Sequence, residues 1–200
     1  MIKRIAFAIA VLLLLLAGVL AVNTARHGSR QPVAAAAPAL AVDEAGVADK
    51  LSGAVRLRTI ASREDAQASA GEFRKLHDYL RQRFPRVHEK LKPEVVGGYS
   101  LLYAWPGTDA QAKPVLLMAH LDVVPVSLGT EDKWHAAPFA GDIRDGFVWG
   151  RGAWDDKSRV VAQLEAVEML LAAGFQPRQT VYLAFGHDED LLRRVADDRQ

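Results

Sequence analysis

The sequence has no cysteine and almost no net charge. Without cysteine, no disulfide supports the fold. This absence is compatible with a location outside the cytoplasm but does not demonstrate one, because disulfides are optional in exported proteins. The formal net charge at pH 7 is only +1, which gives no reason to expect nucleic acid or an acidic polymer as a partner. The sequence also lacks internal repeats and any nucleic-acid-binding module, which leaves room for one globular domain behind an apolar amino end.

The amino end is a long apolar stretch. Two basic residues precede an almost unbroken apolar run over residues 5–22. This length is near the lower limit of about 17–25 residues for a membrane-spanning helix, and it exceeds the core of about 7–15 residues in a cleaved signal peptide. Residues 1–25 are therefore predicted to be a signal-anchor, with a cleaved export signal as the alternative. In both cases the soluble part is predicted to be periplasmic or extracellular, attached through a linker over residues 26–41.

Hydrophobic periodicity predicts an α/β domain from residue 42 onward. Apolar residues at helical spacing predict helices over residues 42–57, 71–83 and 158–173. Apolar runs predict strands over residues 95–105, 115–119 and 180–185, with the first two as neighbours in the sheet. The order strand, helix, strand in the second half is typical of a βαβ-like unit, whose ligands commonly bind at the carboxyl ends of the strands. The predicted fold class is α/β, a mixed sheet flanked by helices and preceded by the apolar amino-terminal helix.

The most informative segment covers residues 115–125, a predicted buried strand that stops at a histidine. His120 and Asp122 are two positions apart, and in an extended chain such side chains point to the same face. A metal-bound histidine usually has its other ring nitrogen oriented by a carboxylate or a carbonyl, so Asp122 suits that role. Taken alone, the pair has a commoner explanation, which is a partly exposed histidine at the end of a strand.

Two further acidic clusters adjoin predicted elements. Asp155 and Asp156 lie just before the helix predicted at 158–173, and residues 187–190 (His-Asp-Glu-Asp) follow the last predicted strand. Singly, the first cluster suits a helix cap and the second a solvated turn. Because three such clusters follow a strand or open a helix, we expect them to meet at one edge of the sheet. Oxygen ligands with a histidine suit zinc, manganese or cobalt, and a carboxylate shared by two ions would support hydrolysis.

Three motifs resemble, in order and spacing, those of the M20 metallopeptidases: His120-Leu-Asp122, Gly150-Arg-Gly-Ala-Trp-Asp-Asp-Lys157 and Gly186-His-Asp-Glu-Asp190. The likeness is greatest to the carboxypeptidase S and N-acyl-amino-acid hydrolase branch, in which a Trp…Pro-Phe segment like residues 134–149 precedes a short hairpin. The resemblance implies that residues 42–190 form part of a metallopeptidase catalytic domain and that residues 191–200 are a tail without family character.

The resemblance also implies a role for each residue of the site. His120 would bind one metal ion, with Asp122 orienting its imidazole. Asp155 would bridge two metal ions, and the peptide bond that follows it is commonly cis in this family. Glu189 would be the general base that deprotonates the attacking water and returns a proton to the leaving amine. Asp190 would bind the second metal, at a position where the family normally has a second glutamate. The implied cofactors are two divalent metal ions. Zinc is the first choice, although cobalt and manganese bind to the same types of ligand.

The implied substrate is a small peptide or an N-acyl amino acid, and full-length relatives commonly form homodimers. Family members continue for a few hundred residues that carry further ligands, so a non-catalytic membrane-anchored remnant with an incomplete metal site is the alternative function. A dinuclear phosphohydrolase ranks lower because it does not explain the order of the motifs. The loss of family character after Asp190 predicts a frameshift, a premature stop or a gene-model error. An incomplete sheet exposes an edge, so we expect poor solubility of the chain without its amino-terminal helix.

Overall fold

The computed structural model describes residues 1–29, 41–62, 65 and 67–189. The chain divides into two units, Met1–Ala41 and Val42–Gln200. The first unit contains α1 (Ile2–Arg26), a 25-residue helix with no buried residue. Most of the predicted linker, the site residue Asp190 and the predicted tail over residues 191–200 lie outside the described residues.

The second unit combines a mixed sheet with helices, which agrees with the predicted fold class. Its helices are α2 (Glu44–Val55), α3 (Ala70–Arg83), α4 (Pro85–Leu91), the short 3-10 helix Glu131–Lys133, and α5 (Lys157–Ala172). The main sheet contains β1 (Glu94–Val96), β2 (Ser100–Trp105), β3 (Val115–His120) and β6 (Val181–Gly186), and β4 (Asp142–Arg144) pairs with β5 (Phe147–Trp149) as a separate hairpin.

The strand order of the main sheet is β1-β2-β6-β3, with β2 antiparallel and β3 parallel to β6. The parallel pair joined through α5 confirms the predicted βαβ-like unit. Two other predictions are wrong. The strand predicted over residues 95–105 is two strands, because Gly97 and Gly98 take φ of +61° and +101° and turn the chain into a hairpin. The strands β2 and β3 are not neighbours either, because the crossover through α5 places β6 between them.

The three predicted helices are present, but α4 was not predicted. Pro85 occupies the first turn of α4, where its missing N–H is no loss and its fixed φ suits the helix. A proline therefore separates two helices here rather than a helix from a loop.

The core lies between the helices and one face of the sheet. Alternate strand residues point into it, and they meet apolar residues of α3, α4 and α5; the buried set includes Leu101, Tyr103, Leu183, Phe185, Phe73, Leu76, Leu80, Phe84, Val87, Val160, Val161 and Leu164. Side chains alternate along each strand, so the intervening residues lie on the other face. Among them are Leu102, Met118 and Ala184, which are aligned across the three strands. This second face forms the floor of the cavity described below.

The prediction that residues 115–119 form a buried strand is wrong. Along β3, Val115, Leu116, Leu117 and Met118 are 37%, 55%, 39% and 67% exposed. The reason is the position of β3, which is the outermost strand of its sheet in the part of the chain that the structure describes. The apolar residues of β3 follow one another without a polar residue between them. This pattern is typical of parallel strands such as β3 and β6, which are normally covered on both faces.

An exposed apolar edge strand is a template for pairing with another chain. We therefore expect Leu116→Lys to weaken self-association of the full chain in detergent micelles by about tenfold or more, since a lysine opposes edge pairing. Sedimentation equilibrium measures this. Ile143→Lys is the matched control, because Ile143 lies in β4 and is equally exposed at 53%. Equal effects of the two substitutions would show that the edge of β3 has no part in association.

Candidate active site and metal-binding residues

The candidate site lies where β3 and β6 end. Because these strands are parallel, His120 is aligned with Gly186 at one edge of the sheet. The backbone continues this pairing one step further, since the Leu121 N–H donates to the Gly186 carbonyl at 2.7 Å. The Thr59 hydroxyl, which is buried, donates to the Leu121 carbonyl at 2.6 Å. These bonds fix the direction of the chain on both sides of the site.

His120 is the centre of the arrangement, with a side chain only 7% exposed. Its Nδ1 lies 3.2 Å from Asp122 Oδ1 and 3.1 Å from the Asp122 carbonyl oxygen. Its Nε2 lies 3.0 Å from Asp155 Oδ1 and 3.7 Å from Glu189 Oε2. Asp122, itself fully buried, therefore holds one ring nitrogen and leaves the other directed at two carboxylates.

A glycine-rich turn delivers Asp155 to this point. Gly150 has φ of +149°, and a Cβ there would lie 2.5 Å from a Val55 methyl group. Gly152 has φ of +84°, and a Cβ there would lie 2.7 Å from Val123. A side chain fits neither position, since both the backbone conformation and the space favour glycine. The peptide bond between Asp155 and Asp156 is cis, as the family resemblance implies.

Asp156 does not act as the helix cap that its position suggests. It is the N-cap residue of α5, but its side chain accepts no backbone N–H from the first turn of that helix. Instead Asp156 Oδ2 accepts the backbone N–H of His120 at 3.2 Å, and Oδ1 lies 3.4 Å from Arg159 Nε. Burial raises the pKa of Asp156, against the opposing effects of His120 and Arg159. The two consecutive aspartates thus contact different parts of the same histidine.

Lys157, like Asp156, supports the site and was assigned no role from the sequence. Its side chain is buried, and its Nζ donates to the carbonyls of Ala54 at 3.0 Å and of Leu57. Burial lowers the pKa of Lys157 to about 7, although the charges of Glu72 and Asp122 oppose this shift. Because Lys157 binds carbonyls at the end of α2, it fixes the start of α5 and hence the preceding aspartates.

The site opens into a cavity of about 520 Å³. His120, Asp155, Asp156, Asp188 and Glu189 line its polar end. Its apolar lining comes from the second face of the sheet, including Leu102, Met118 and Ala184. The structure therefore brings together four of the five predicted site residues, namely His120, Asp122, Asp155 and Glu189, and Asp190 lies outside the described residues. The roles assigned to the four remain predictions.

The carboxylates around His120 control its protonation. Burial acts to lower the pKa of His120, but the hydrogen bonds to Asp122 and Asp155 and the charges of Asp122 and Asp156 outweigh burial and raise it to about 9. Without a metal ion, His120 is therefore expected to be protonated at neutral pH. Because a metal ligand must be the neutral imidazole, metal binding here has to displace a proton.

This shift predicts a pH-dependent stability of the metal-free chain. A histidine whose pKa is raised in the folded state stabilises it fully below the unfolded pKa of about 6.5, and that stabilisation is lost as the pH rises through 9. The free energy of unfolding of the wild type minus that of His120→Gln is expected to fall by about 3 kcal/mol over this interval. Urea unfolding in EDTA at several pH values measures the difference. A difference that does not change with pH would contradict the shift.

The donor atoms at the site suit two ligands of one divalent ion. Zinc binds imidazole nitrogen and carboxylate oxygen at about 2.0–2.2 Å, so two of its tetrahedral ligands lie about 3.3 Å apart. The 3.0 Å between His120 Nε2 and Asp155 Oδ1 is close to that spacing. The described residues nevertheless contain no group of three His, Cys, Asp or Glu side chains arranged to hold an ion. The described part of the site therefore fits part of a ligand set.

Comparison with known sequences identifies relatives of this chain. Residues 116–194 match the model of the peptidase family M20/M25/M40. The chain is 42% identical over 180 residues to probable carboxypeptidase S-like 2 of Dictyostelium discoideum, covering 86% of this chain and 34% of that protein. It is 43% identical over 149 residues to carboxypeptidase S of Saccharomyces cerevisiae (71% and 26% covered) and 38% identical over 145 residues to the N-fatty-acyl-amino acid synthase/hydrolase PM20D1 of Xenopus tropicalis (72% and 28%).

Solved structures share the fold. An M20 family metallo-carboxypeptidase from Sulfolobus solfataricus superposes with a TM-score of 0.55 at 20% identity, covering 76% of this chain and 32% of that one. Human carnosine dipeptidase 1 superposes with a TM-score of 0.52 at 20% identity, covering 74% and 32%. The chain spans about a third of the length of these proteins and of the first curated relative. The sequence matches show that the chain belongs to the M20 peptidase family, in the branch of carboxypeptidase S and the N-acyl-amino-acid hydrolases.

Proposed function

We propose that this chain carries the general base and some of the metal ligands of a hydrolase that cleaves the amide bond of a peptide or an N-acyl amino acid. The observation that carries the proposal is the position of His120 Nε2, which faces both Asp155 and Glu189 in the lining of a cavity. The names of the relatives, carboxypeptidase S and N-fatty-acyl-amino acid synthase/hydrolase, support an amide substrate.

The residues divide the chemistry among them. His120 and Asp155 would hold a divalent ion, which when bound would polarise the amide carbonyl and make water a stronger acid. Glu189 would take a proton from the attacking water, and the oxygen of that water would form the bond to the carbonyl carbon. As the carbon–nitrogen bond breaks, Glu189 would return that proton to the leaving amine, so that the products are a carboxylic acid and a free amine. Asp122 would keep the imidazole of His120 in the tautomer that leaves Nε2 free to bind the ion.

The cavity supports a substrate with an apolar portion. Leu102, Met118 and Ala184 form an apolar floor beside the polar end of the cavity, and Arg159 also lines the cavity. An acyl chain or apolar side chain would lie on this floor, and the free carboxylate of an amino-acid product would interact favourably with the guanidinium of Arg159.

The proposal is tested by hydrolysis. The full chain, loaded with zinc, is incubated with a dipeptide and with an N-acyl amino acid, and the released amine is quantified. The proposal predicts release of amine that disappears after treatment with a chelator. No release from either substrate would contradict it, and would favour the non-catalytic remnant with an incomplete metal site.

We also propose that α1 anchors the chain in a membrane, with the second unit outside the cytoplasm. The helix is 25 residues long, is apolar along nearly all of its length, and has no buried residue. A signal sequence near the amino terminus meets the same criteria of length and hydropathy. Mass spectrometry of the protein from a membrane fraction distinguishes the two, because an anchor retains residues 1–25 and a cleaved signal loses them.

A further inference from the structure

His187 is a histidine that the proposed reaction does not use. It directly follows β6 and precedes Glu189 by two positions. Its Nδ1 lies 2.6 Å from the Ser100 hydroxyl oxygen, within a hydrogen bond. Ser100 is the first residue of β2, which is antiparallel to β6 and so begins at the edge of the sheet where β6 ends. The bond therefore attaches the segment after β6 to the neighbouring strand.

Aromatic rings hold the same imidazole from the side. Phe73 of α3 and Tyr99 stack on each other with centroids 5.1 Å apart and 13° between planes. The His187 ring meets both edge-on, at 5.9 Å from Phe73 and 5.6 Å from Tyr99. Gly97, in the β1–β2 turn, would bring a Cβ to 3.5 Å from His187 Cε1, which is van der Waals contact. The imidazole thus lies in a fitted position between α3 and the β1–β2 hairpin.

A second attachment lies on the opposite side of this segment. The Gly186 carbonyl accepts the Leu121 N–H at 2.7 Å, which joins the end of β6 to the residue after β3. The chain leaving β6 is therefore held toward β3 by its backbone and toward β2 by the His187 side chain. Two residues beyond His187, Glu189 Oε2 lies 3.7 Å from His120 Nε2.

We propose that His187 is a positioning residue: the Ser100 hydroxyl and the Phe73–Tyr99 ring pair hold its imidazole, and this fixes the segment that presents Glu189 to the cleft. The catalytic consequence rests on the proposed function, whereas the attachment itself does not. Among the described residues that line the cavity, Ser100, Gly186, Asp188 and Glu189 are present and His187 is not. Because His187 does not line the cavity, it is not expected to contact the substrate. Loss of the attachment should therefore lower kcat, through the position of Glu189, without changing KM.

Three variants of the full chain in detergent micelles test the attachment. His187→Leu keeps an apolar side chain but loses the bond to Ser100, and His187→Asn places an amide near the former Nδ1 and can restore that bond. His77→Asn is the matched control, because His77 Nε2 bonds the Tyr99 carbonyl at 2.9 Å beside the same ring pair, whereas the bond to Ser100 is made by His187. The reporter is the amide of Leu121, followed by hydrogen exchange in NMR spectra.

His187→Leu removes the hydrogen bond to Ser100 and so loosens the end of β6, whose Gly186 carbonyl accepts the Leu121 N–H. The attachment predicts that exchange of the Leu121 amide then rises about tenfold, the effect of about one hydrogen bond. In His187→Asn and His77→Asn the exchange should stay near the wild-type rate. If the wild type hydrolyses an amide, kcat of His187→Leu should fall about tenfold or more with KM unchanged, and His187→Asn should recover it. Unchanged exchange or unchanged kcat in His187→Leu would overturn the proposal. A selective rise in exchange in a chain without hydrolytic activity would support the attachment while rejecting the proposed function.

Discussion

Replacement of Glu189 by glutamine is expected to lower kcat for amide hydrolysis by about 10²–10⁴-fold, the contribution typical of a positioned general base. The amide of glutamine has nearly the same size but cannot accept a proton from water at neutral pH. The carboxylate of Glu189 lies 3.7 Å from His120 Nε2 and lines the cavity, which places it beside the ion that His120 would hold. Steady-state kinetics of the zinc-loaded full chain measures the change.

The control for this substitution is Glu131→Gln. Glu131 is an exposed residue of the short 3-10 helix Glu131–Lys133, and its loss removes the same charge from the chain. Zinc content of both variants is measured beside the rate, so that a lost ion is not mistaken for a lost base. If Glu189→Gln retained the wild-type kcat, the base would have to be another residue and the proposed division of the chemistry would be wrong.

Replacement of Asp155 by asparagine is expected to lower the affinity of the chain for zinc by at least about 100-fold, because even residues that only support a metal ligand contribute 10- to 100-fold. Asparagine keeps the shape of the side chain but removes the negative charge opposite His120 Nε2. A neutral amide oxygen is a poorer ligand for a divalent ion and cannot neutralise two ions at once. Competition with a chromophoric chelator measures the affinity.

Asp145→Asn is the matched control for Asp155→Asn. Asp145 lies in the turn of the β4–β5 hairpin at φ of +55°, a conformation that asparagine adopts readily. The control therefore removes one carboxylate without disturbing the backbone. Equal zinc affinity of the two variants would show that Asp155 is not a ligand.

The sequence predicted the convergence of the site because the convergence follows from the geometry of strands. His120 ends β3 and Glu189 follows β6, and the carboxyl ends of two parallel strands must lie at the same edge of their sheet. The order strand, helix, strand indicated that these two strands are parallel. The placement of Asp155 just before the intervening helix follows from the same βαβ-like connection. The family resemblance added the roles, which geometry alone does not assign.

The supporting residues were not predicted, because their partners are distant in sequence. Beyond membership of the second acidic cluster, Asp156 was assigned no role of its own except that of a helix cap, whereas its carboxylate accepts the backbone N–H of His120, 36 residues away. Lys157 did leave a signal. It precedes Val160, Val161 and Leu164 by three, four and seven positions, which places it on the buried stripe of α5. A lysine on such a stripe requires internal acceptors, and the structure supplies them at the end of α2.

The strand order could not be derived from local patterns. A run of apolar residues such as 115–119 suits a strand covered on both faces, and the exposure of β3 depends on which strands adjoin it. The strand–helix–strand order relates β6 to β3, but nothing in the sequence near β2 indicates that β2 pairs with β6 rather than with β3. That pairing also brings Ser100 next to His187. The proposed contact between these two residues therefore could not be predicted without the strand order.

The most direct test of the account is the location of zinc in crystals of the full chain grown with that ion. An anomalous difference map recorded at the zinc edge should show a peak about 2.0–2.2 Å from both His120 Nε2 and the Asp155 carboxylate. A peak at other residues only, or a His120 and Asp155 too far apart for one ion to join, would contradict the convergence on which the proposed function depends.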